Sequence, residues 1–474
     1  MNEDIHEKTI SELAPLIKSK QISPKELTSA VLQQIKKVNQ HVNAFIEVTE
    51  NKALKQAEIV EAEVFSENYR GPLHGIPIAI KDNIYIANEV TTMGSDIHRH
   101  FIPRENATVV EKLKEKGVIF TGKLNLHEYA GGVTNDNPHF GTCRNPWDLE
   151  RIPGGSSGGS AVATATSMSI ATLGTDTGSS IRLPAAFCGV TGLKPTFGLV
   201  SKYGAFPLAW SLDHIGPLTK NAKDAAYLLE AITGYDANDP SSVKSAVTDY
   251  SNQLTGSVKG LKIGIIEDYF FKNVDTRIEE VVKKSIQSLE QAGATVEVIK
   301  MPSLSLVEYA HTITMIAEAS TVHHDNLLSR EKDFSADFRL ILKLGELPSA
   351  VDYLQAQQIR HQVNNDFANL FKTVDVLISP TTPLLPPRVG QNPSINNKEV
   401  DISDQGSRFT KPLNLTGLPA VSVPCGFTGN LPVGMQIIGP PFKEGRILNV
   451  AYTLEQLHPE FQQMSPIIKR IDQI

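Results

Sequence analysis

A glycine- and serine-rich stretch runs from Gly154 to Arg182 and reads GGSSGGSAVATATSMSIATLGTDTGSSIR. This composition is typical of a flexible linker, but it also suits a site built from backbone N–H groups and hydroxyls. A linker lacks hydrophobic order, whereas the residues after Ser157 are small and moderately apolar, which favours a closely packed helix. The next segments predict a buried strand (IATLGT), a turn (DTGSS) and a short helix that ends at Gly189.

Two serines of this stretch, Ser156 and Ser180, are separated by a predicted helix and strand. A helix of about 13 residues rises roughly 20 Å, and a strand of about six residues returns roughly 20 Å. We therefore expect both serines to lie close together near a helix N-terminus. Free N–H groups at such a position suit an anion, and acyl transfer needs donors of this kind in an oxyanion hole.

A competing motif overlaps the first serine. Gly154 to Gly158 fit the G-x-S-x-G pattern of the nucleophile elbow, which directly follows a strand in α/β-hydrolases. The preceding residues, RNPWDLERIP, are polar and turn-like. The sequence therefore disfavours an elbow at this position.

A base is needed to activate a serine, and Lys81 is the preferred candidate. It follows the apolar run IPIAI, which predicts a buried strand ending near this residue. Burial lowers the pKa of a lysine amine, and a neutral amine accepts a proton. A lysine at a strand end that points to water is the alternative. Of the histidines, His74, His127 and His214 lie beside apolar segments, where structural or pocket-lining roles are expected.

Composition excludes several classes of protein. The net charge is −7 and the isoelectric point is about 6.0, which argues against binding to nucleic acid or to an anionic membrane. The three cysteines, Cys143, Cys188 and Cys425, are widely spaced and predict neither a disulfide framework nor a zinc site. The polar N-terminus and the lack of a long apolar run favour a cytoplasmic protein without a membrane span.

Helical and strand patterns alternate along the chain, which predicts an α/β fold. Residues 7–65 are predicted to be helical, with Ser23 as N-cap and Glu26 completing a capping box. No composition shift marks a linker, so one large domain is expected. Within it we expect an N-terminal helical segment, residues 1–70, packed on a core of residues 71–474.

These motifs resemble the amidase signature family of serine amidohydrolases. The resemblance rests on GIPIAIKDN, on GGSSGGSA and on GTDTGSSIRLPAAFCGVTGLKPTFG, and further segments such as SLDHIGPLTK and NLTGLPAVSVPCG extend it from about Leu73 to Gly439. It implies a single domain with a central mixed β-sheet flanked by helices. It also implies hydrolysis of a carbon–nitrogen amide bond through a serine acyl-enzyme, without a metal or organic cofactor.

The resemblance assigns a Ser-Ser-Lys triad. Ser180 is expected to be the nucleophile, Ser156 the bridging serine that follows a cis peptide bond from Gly155, and Lys81 the base. The family usually carries glycine where this chain has Ser179. The remaining assignments are the oxyanion N–H groups of Thr177, Gly178, Ser179 and Ser180, and the structural neighbours Ser157, Asp176 and Arg182.

Two kinds of amidase are compatible with these motifs. The preferred one is a stand-alone amidase that acts on a small-molecule amide, as a monomer or homodimer. The alternative is the glutaminase component of a glutamyl-tRNA amidotransferase, which releases ammonia from glutamine for a partner protein. The segment DYLQAQQIRHQVNNDF favours that component. Against it, Ser407 stands where the component has an Asp that contacts the glutamine amino group, and His127 also stands at an Asp position.

The substrate pocket is the least specified part of the site. Segments around residues 125–140, 203–210 and 305–325 are candidates for its walls. The residues expected there are His127, Tyr129, Phe206 and Trp210. Such aromatic side chains suit an aryl or alkyl amide, although core positions are also common for them.

Overall fold

The computed structural model of the protein describes residues 4–245 and 248–467. One mixed sheet of eleven strands runs through these residues, in the order β1-β3-β2-β4-β6-β5-β12-β13-β9-β7-β8. The strands are β1 (Phe45–Val48), β2 (Pro77–Lys81), β3 (Ile119–Leu124), β4 (Ala171–Asp176), β5 (Thr191–Lys194), β6 (His214–Thr219), β7 (Lys262–Ile265), β8 (Thr295–Val298), β9 (Val376–Pro380), β12 (Ala420–Thr428) and β13 (Leu431–Ile438). A separate short hairpin pairs β10 (Ser394–Ile395) with β11 (Lys398–Glu399).

Helices flank this sheet and form a single α/β domain with it. In chain order they are α1 (Ile10–Lys18), α2 (Pro24–Val42), α3 (Glu50–Phe65), α4 (Thr108–Glu115), α5 (Gly158–Ala165), α6 (Arg182–Cys188), α7 (Ala222–Ile232), α8 (Glu267–Phe270), α9 (Thr276–Gln291), α10 (Val307–Arg330), α11 (Ala336–Gly345), α12 (Ala350–Leu370), α13 (Ile402–Gln405), α14 (Lys411–Thr416) and α15 (Glu444–Leu457). The predicted fold class is confirmed. No helix in the described part of the chain is long and apolar enough to cross a membrane.

The centre of the sheet places the ends of two strands side by side. Strand β2 is parallel to β3 on one side and to β4 on the other. Every residue of these three strands is buried, as expected for parallel strands that are covered on both faces. Because β2 ends at Lys81 and β4 ends at Asp176, both residues lie at the same edge of the sheet.

The segment from Gly154 to Arg182 forms the predicted helix, strand and second helix. Helix α5 is shorter than expected and spans eight residues, Gly158–Ala165. The Thr166 hydroxyl donates to the Val162 carbonyl at 2.7 Å, and Ser167 adopts a φ of 53°. Hydroxyl side chains compete with helical hydrogen bonds in this way, which accounts for the early end of the helix. Gly189, at a φ of 71°, ends α6 as predicted.

The prediction that residues 7–65 are entirely helical was wrong for β1. Asn43 has a φ of 52° and ends α2, and the Asn39 side-chain oxygen accepts from the backbone N–H groups of Ala44 and Phe45. These bonds turn the chain so that β1 pairs antiparallel with β3. Only half of the predicted capping box forms, since the Ser23 hydroxyl accepts from the Glu26 N–H at 2.9 Å.

The N-terminal helices share the main hydrophobic core with the sheet. Leu27 and Val31 of α2 are fully buried in the same cluster as Ile78 of β2 and Leu173 of β4. We propose that residues 1–70 unfold together with the rest of the chain, because their removal would uncover this part of the core.

Leu27→Ala is expected to lower the free energy of unfolding by about 2–5 kcal/mol, because it leaves a cavity in the core. The matched control is Gln33→Ala on the exposed side of the same helix, which is expected to change it by no more than about 0.5 kcal/mol. Denaturant unfolding followed by circular dichroism checks both values. A separate early transition in Leu27→Ala, with the main transition unmoved, would show that the N-terminal segment unfolds independently.

Candidate active site

Lys81 is the last residue of β2, and water does not reach its side chain. Its Nζ atom lies 2.7 Å from the Ser156 hydroxyl oxygen and 2.7 Å from the Thr175 hydroxyl oxygen. Burial lowers the pKa of Lys81 to about 7, against a smaller opposing effect of the carboxylates of Asp176 and Asp213. A lysine with this pKa exchanges protons near neutral pH.

Ser156 lies in a loop that the surrounding backbone approaches closely. The Gly155–Ser156 peptide bond is cis, as the resemblance implies. A Cβ atom on Gly155 would lie 2.9 Å from the Asn135 N atom, so only glycine fits at that position. The Ser156 carbonyl accepts from the His127 N–H at 3.2 Å, which ties the loop to the segment after β3.

Ser180 lies in the turn between β4 and α6. Its carbonyl accepts from the Ser157 N–H at 3.1 Å, and the Ser157 hydroxyl donates to the Thr175 carbonyl at 3.0 Å. These two bonds connect the loop that carries Ser156 with the turn that carries Ser180. The structure thus brings Lys81, Ser156 and Ser180, which are far apart in sequence, to one edge of the sheet.

A buried ion pair between Asp176 and Arg182 closes the turn. The Arg182 Nε and Nη2 atoms donate to the two Asp176 carboxylate oxygens at 3.0 and 2.9 Å, and the Ile181 N–H donates to the same carboxylate at 3.0 Å. The guanidinium holds the pKa of Asp176 well below its usual range. Arg182 also donates to the side chains of Gln436 and Asn414, at 2.8 and 2.6 Å.

The turn from Thr177 to Ser180 presents its backbone toward a cavity. The N–H groups of Gly178, Ser179 and Ser180 donate to no acceptor within the described residues. The turn is held from both sides, because the Thr177 hydroxyl donates to Asp213 at 2.6 Å and the Thr177 carbonyl accepts from His311 Nε2 at 3.0 Å. Free N–H groups on a fixed turn can bind an anion.

Two cavities meet at this turn. A small one of about 120 Å³ is lined by Gly178, Ser179 and Ser180 together with His311 and Lys411. A larger one of about 420 Å³ lies on the other side of Thr177, which borders both. Ser407, singled out by its type in the sequence, also lines the small cavity.

The expected pocket residues divide into two groups. Phe206 and Trp210 line the larger cavity. His127 and Tyr129 line neither one, which differs from the expectation. His127 Nε2 lies 2.8 Å from an Asp337 carboxylate oxygen, and Tyr129 is buried in an aromatic cluster, where its ring stacks on Phe338. Both side chains therefore have structural partners outside the cavities.

Several residues at the site were not found by sequence reasoning. Thr175 contacts Lys81, while Asp213, His311 and Lys411 surround the turn. Burial raises the pKa of Asp213 to about 6 and lowers the pKa of His311 to about 3. His311 and Lys411 come from α10 and α14, whose contact with the turn no local pattern announces.

Comparisons with known proteins agree with this geometry. The Amidase family model matches residues 26–448. The chain is 40% identical to the A-type subunit of the glutamyl-tRNA(Gln) amidotransferase of Carboxydothermus hydrogenoformans, over 96% of this chain and 98% of that protein. Among solved structures, it is similar to one from a vestigial protein complex described as revealing the evolutionary origins of an s-triazine catabolic enzyme. That match has a TM-score of 0.91 and 32% identity, over 95% of this chain and 98% of the other.

A bacterial aryl acylamidase of the amidase signature family is also similar. Its structure has a TM-score of 0.89 and 26% identity, over 97% of this chain and 98% of the other. The fold and the site therefore define an enzyme that acts on amide carbon–nitrogen bonds. The chain belongs to the amidase signature family.

The pKa of Lys81 makes a prediction about stability. Between about pH 7 and 10.5 the folded chain carries a neutral Lys81 while the unfolded chain binds a proton there, so stability rises with pH. Relative to Lys81→Met, the wild-type free energy of unfolding is expected to rise by about 1.4 kcal/mol per pH unit across this window. Below it the difference is expected to be constant.

Denaturant unfolding of the wild type and Lys81→Met at pH 6, 8 and 9.5 measures this difference. Subtracting the variant from the wild type removes the contributions of all other titrating groups. If the two proteins change in parallel between pH 8 and 9.5, Lys81 is not neutral in the folded chain.

Proposed function

We propose that the chain hydrolyses an amide through a serine acyl-enzyme, with Ser180 as nucleophile, Ser156 as bridging serine and Lys81 as base. The observation that carries this proposal is the 2.7 Å contact between Lys81 Nζ and Ser156 Oγ in a site where burial lowers the pKa of Lys81 to about 7. A base with a pKa near the working pH is the most effective one.

In the proposed reaction, neutral Lys81 takes the Ser156 hydroxyl proton while Ser156 takes the proton of Ser180. The Ser180 Oγ atom attacks the amide carbonyl carbon, and the negative charge develops on the carbonyl oxygen. The free N–H groups of Gly178, Ser179 and Ser180 suit this oxyanion. Donors of this kind are worth about 3–4 kcal/mol each.

Collapse of the tetrahedral intermediate breaks the carbon–nitrogen bond. The relay returns its proton to the leaving nitrogen, so that ammonia or an amine departs and the acyl group remains as an ester on Ser180. Water then attacks the ester, gives one proton to the relay and releases the carboxylic acid. Ser180 regains its proton, and Lys81 is again neutral.

Relatives favour one candidate for the physiological role. Full-length identity of 40% to the A-type subunit of a glutamyl-tRNA(Gln) amidotransferase supports a glutaminase component over the stand-alone amidase that the motifs favoured. The segment DYLQAQQIRHQVNNDF, which lies within α12, also resembles that component. In this role the chain would release ammonia for a partner protein.

A specific observation favours the second candidate, a stand-alone amidase. Ser407 lines the cavity beside Ser180, at the position where the resemblance places an Asp for the glutamine amino group. No carboxylate among the described residues lines this small cavity. An α-ammonium group would therefore lack a counter-charge there.

Ser180→Ala is expected to lower amide hydrolysis by roughly 1,000-fold or more, because the nucleophile is lost. Ser156→Ala is expected to lower it by roughly 100-fold or more, through loss of the proton relay. Ser329→Ala, an exposed serine on α10, is the matched control and keeps wild-type activity. Rates are measured by release of ammonia, with folding checked by circular dichroism. Normal hydrolysis by Ser180→Ala would refute the proposal.

A second experiment separates the two candidates. The chain is purified from its native cells and also produced alone, and L-glutamine hydrolysis is measured in both preparations. Co-purifying proteins together with glutaminase activity that depends on them support the amidotransferase component. Hydrolysis of other amides by the isolated chain, with little activity on L-glutamine, supports the stand-alone enzyme.

A further inference from the structure

Lys411 places a cation in the wall of the cavity that contains Ser180. It is the first residue of α14, and its side chain is only 10% exposed. The cavity lining includes Lys411 together with Ser179 and Ser180. Its Cγ atom would lie 3.8 Å from a Cβ atom placed on Gly178, so the side chain lies against the turn itself.

The charge balance of this cavity is positive. Among the described residues that line it, Lys411 is the one with a full charge, since the pKa of His311 is lowered to about 3 by burial and by the Lys411 cation. Ser407, a neutral residue, stands where the glutaminase component is expected to carry an Asp. A cation without a lining carboxylate favours an anionic group in the cavity.

Glu308 holds the amine of Lys411 but leaves most of its donors unused. The Glu308 carboxylate accepts from Lys411 Nζ at 2.5 Å, and its own side chain is 45% exposed. An ammonium group has three N–H donors, and the other two have no acceptor among the described residues. Glu308 is not part of the cavity lining, and water screens its charge.

The cavity also limits the size of the group that it takes. Its volume of about 120 Å³ corresponds to roughly four water molecules at about 30 Å³ each. A short aliphatic chain that ends in a carboxylate fits this space. A carboxylate satisfies two donors at once and matches the unused N–H groups of Lys411.

We propose that Lys411 binds a carboxylate on the acyl part of the amide substrate, so that the cavity selects monoamides of short dicarboxylic acids. This inference rests on the proposed function, in which Ser180 attacks that amide. Lys411 is a specificity residue in this scheme and takes no part in proton transfer.

Four primary amides of similar chain length test the inference. Glutaramate carries a carboxylate alone, L-glutamine a carboxylate and an ammonium, 4-aminobutyramide an ammonium alone, and butyramide neither. The wild type is expected to hydrolyse glutaramate with a kcat/KM roughly 10- to 100-fold above that of butyramide, the range for a hydrogen bond to a charged group. 4-Aminobutyramide is expected to be the poorest of the four.

Lys411→Met is expected to remove this preference, mainly through a higher KM for glutaramate, while the rate on butyramide stays within about threefold. Lys411→Arg keeps the charge and is expected to retain part of the preference. The matched control is Lys283→Met, which also removes a lysine from an ion pair with a glutamate, at 2.7 Å, but on the exposed surface of α9. It is expected to leave both substrates unaffected.

An unchanged ratio of glutaramate to butyramide in Lys411→Met would overturn the inference, as would a wild type that prefers butyramide. Labelling of Ser180 by a fluorophosphonate separates this failure from failure of the proposed function. If Ser180 is labelled and butyramide is hydrolysed, amide hydrolysis stands and the role of Lys411 alone is refuted. If Ser180 is not labelled and none of the four amides reacts, the proposed function fails and the inference fails with it.

Discussion

The ion pair between Asp176 and Arg182 determines the shape of the site. It lies where water does not reach, and its bonds extend to the Ile181 N–H and to the side chains of Asn414 and Gln436. Removing one partner of such a pair leaves an uncompensated buried charge, which typically costs about 3–5 kcal/mol. The pair therefore fixes the turn that carries Ser180 to strands and helices of the C-terminal half.

The sheet supplies the second constraint. Because β2 and β4 are parallel neighbours, the chain brings Lys81 and Thr175 to the same edge without a long side-chain reach. Both strands are completely buried, so the lysine amine is carried out of water by the fold and not by a lid. Close approach of the backbone at Gly155 then seats Ser156 against the amine.

Local patterns predicted the fold class, the strand that ends at Lys81 and the helix–strand–helix unit around Ser180. They failed where tertiary contacts outweigh local preference. The turn made by Asn39 and Asn43 creates β1 within a segment that has helical periodicity, and hydroxyl bonding ends α5 early. His127 and Tyr129 were expected in the pocket because of their type, but burial and partners decide their place. His311 and Lys411 reach the site from more than 100 residues away, so no spacing in the sequence could point to them.

The two cavities are separated by a wall whose parts come from different regions of the chain. The reactive hydroxyls and the amine lie between residues 81 and 180, whereas His311, Ser407 and Lys411 come from beyond residue 300. Reaction chemistry and acyl recognition are thus encoded in separate stretches of the gene. Substrate range can diverge within this family by changes confined to the distal stretch, while the stretch that contains the nucleophile stays constant. A mutant library aimed at new amides would accordingly sample α10 and residues 403–411 and leave the glycine-rich segment untouched.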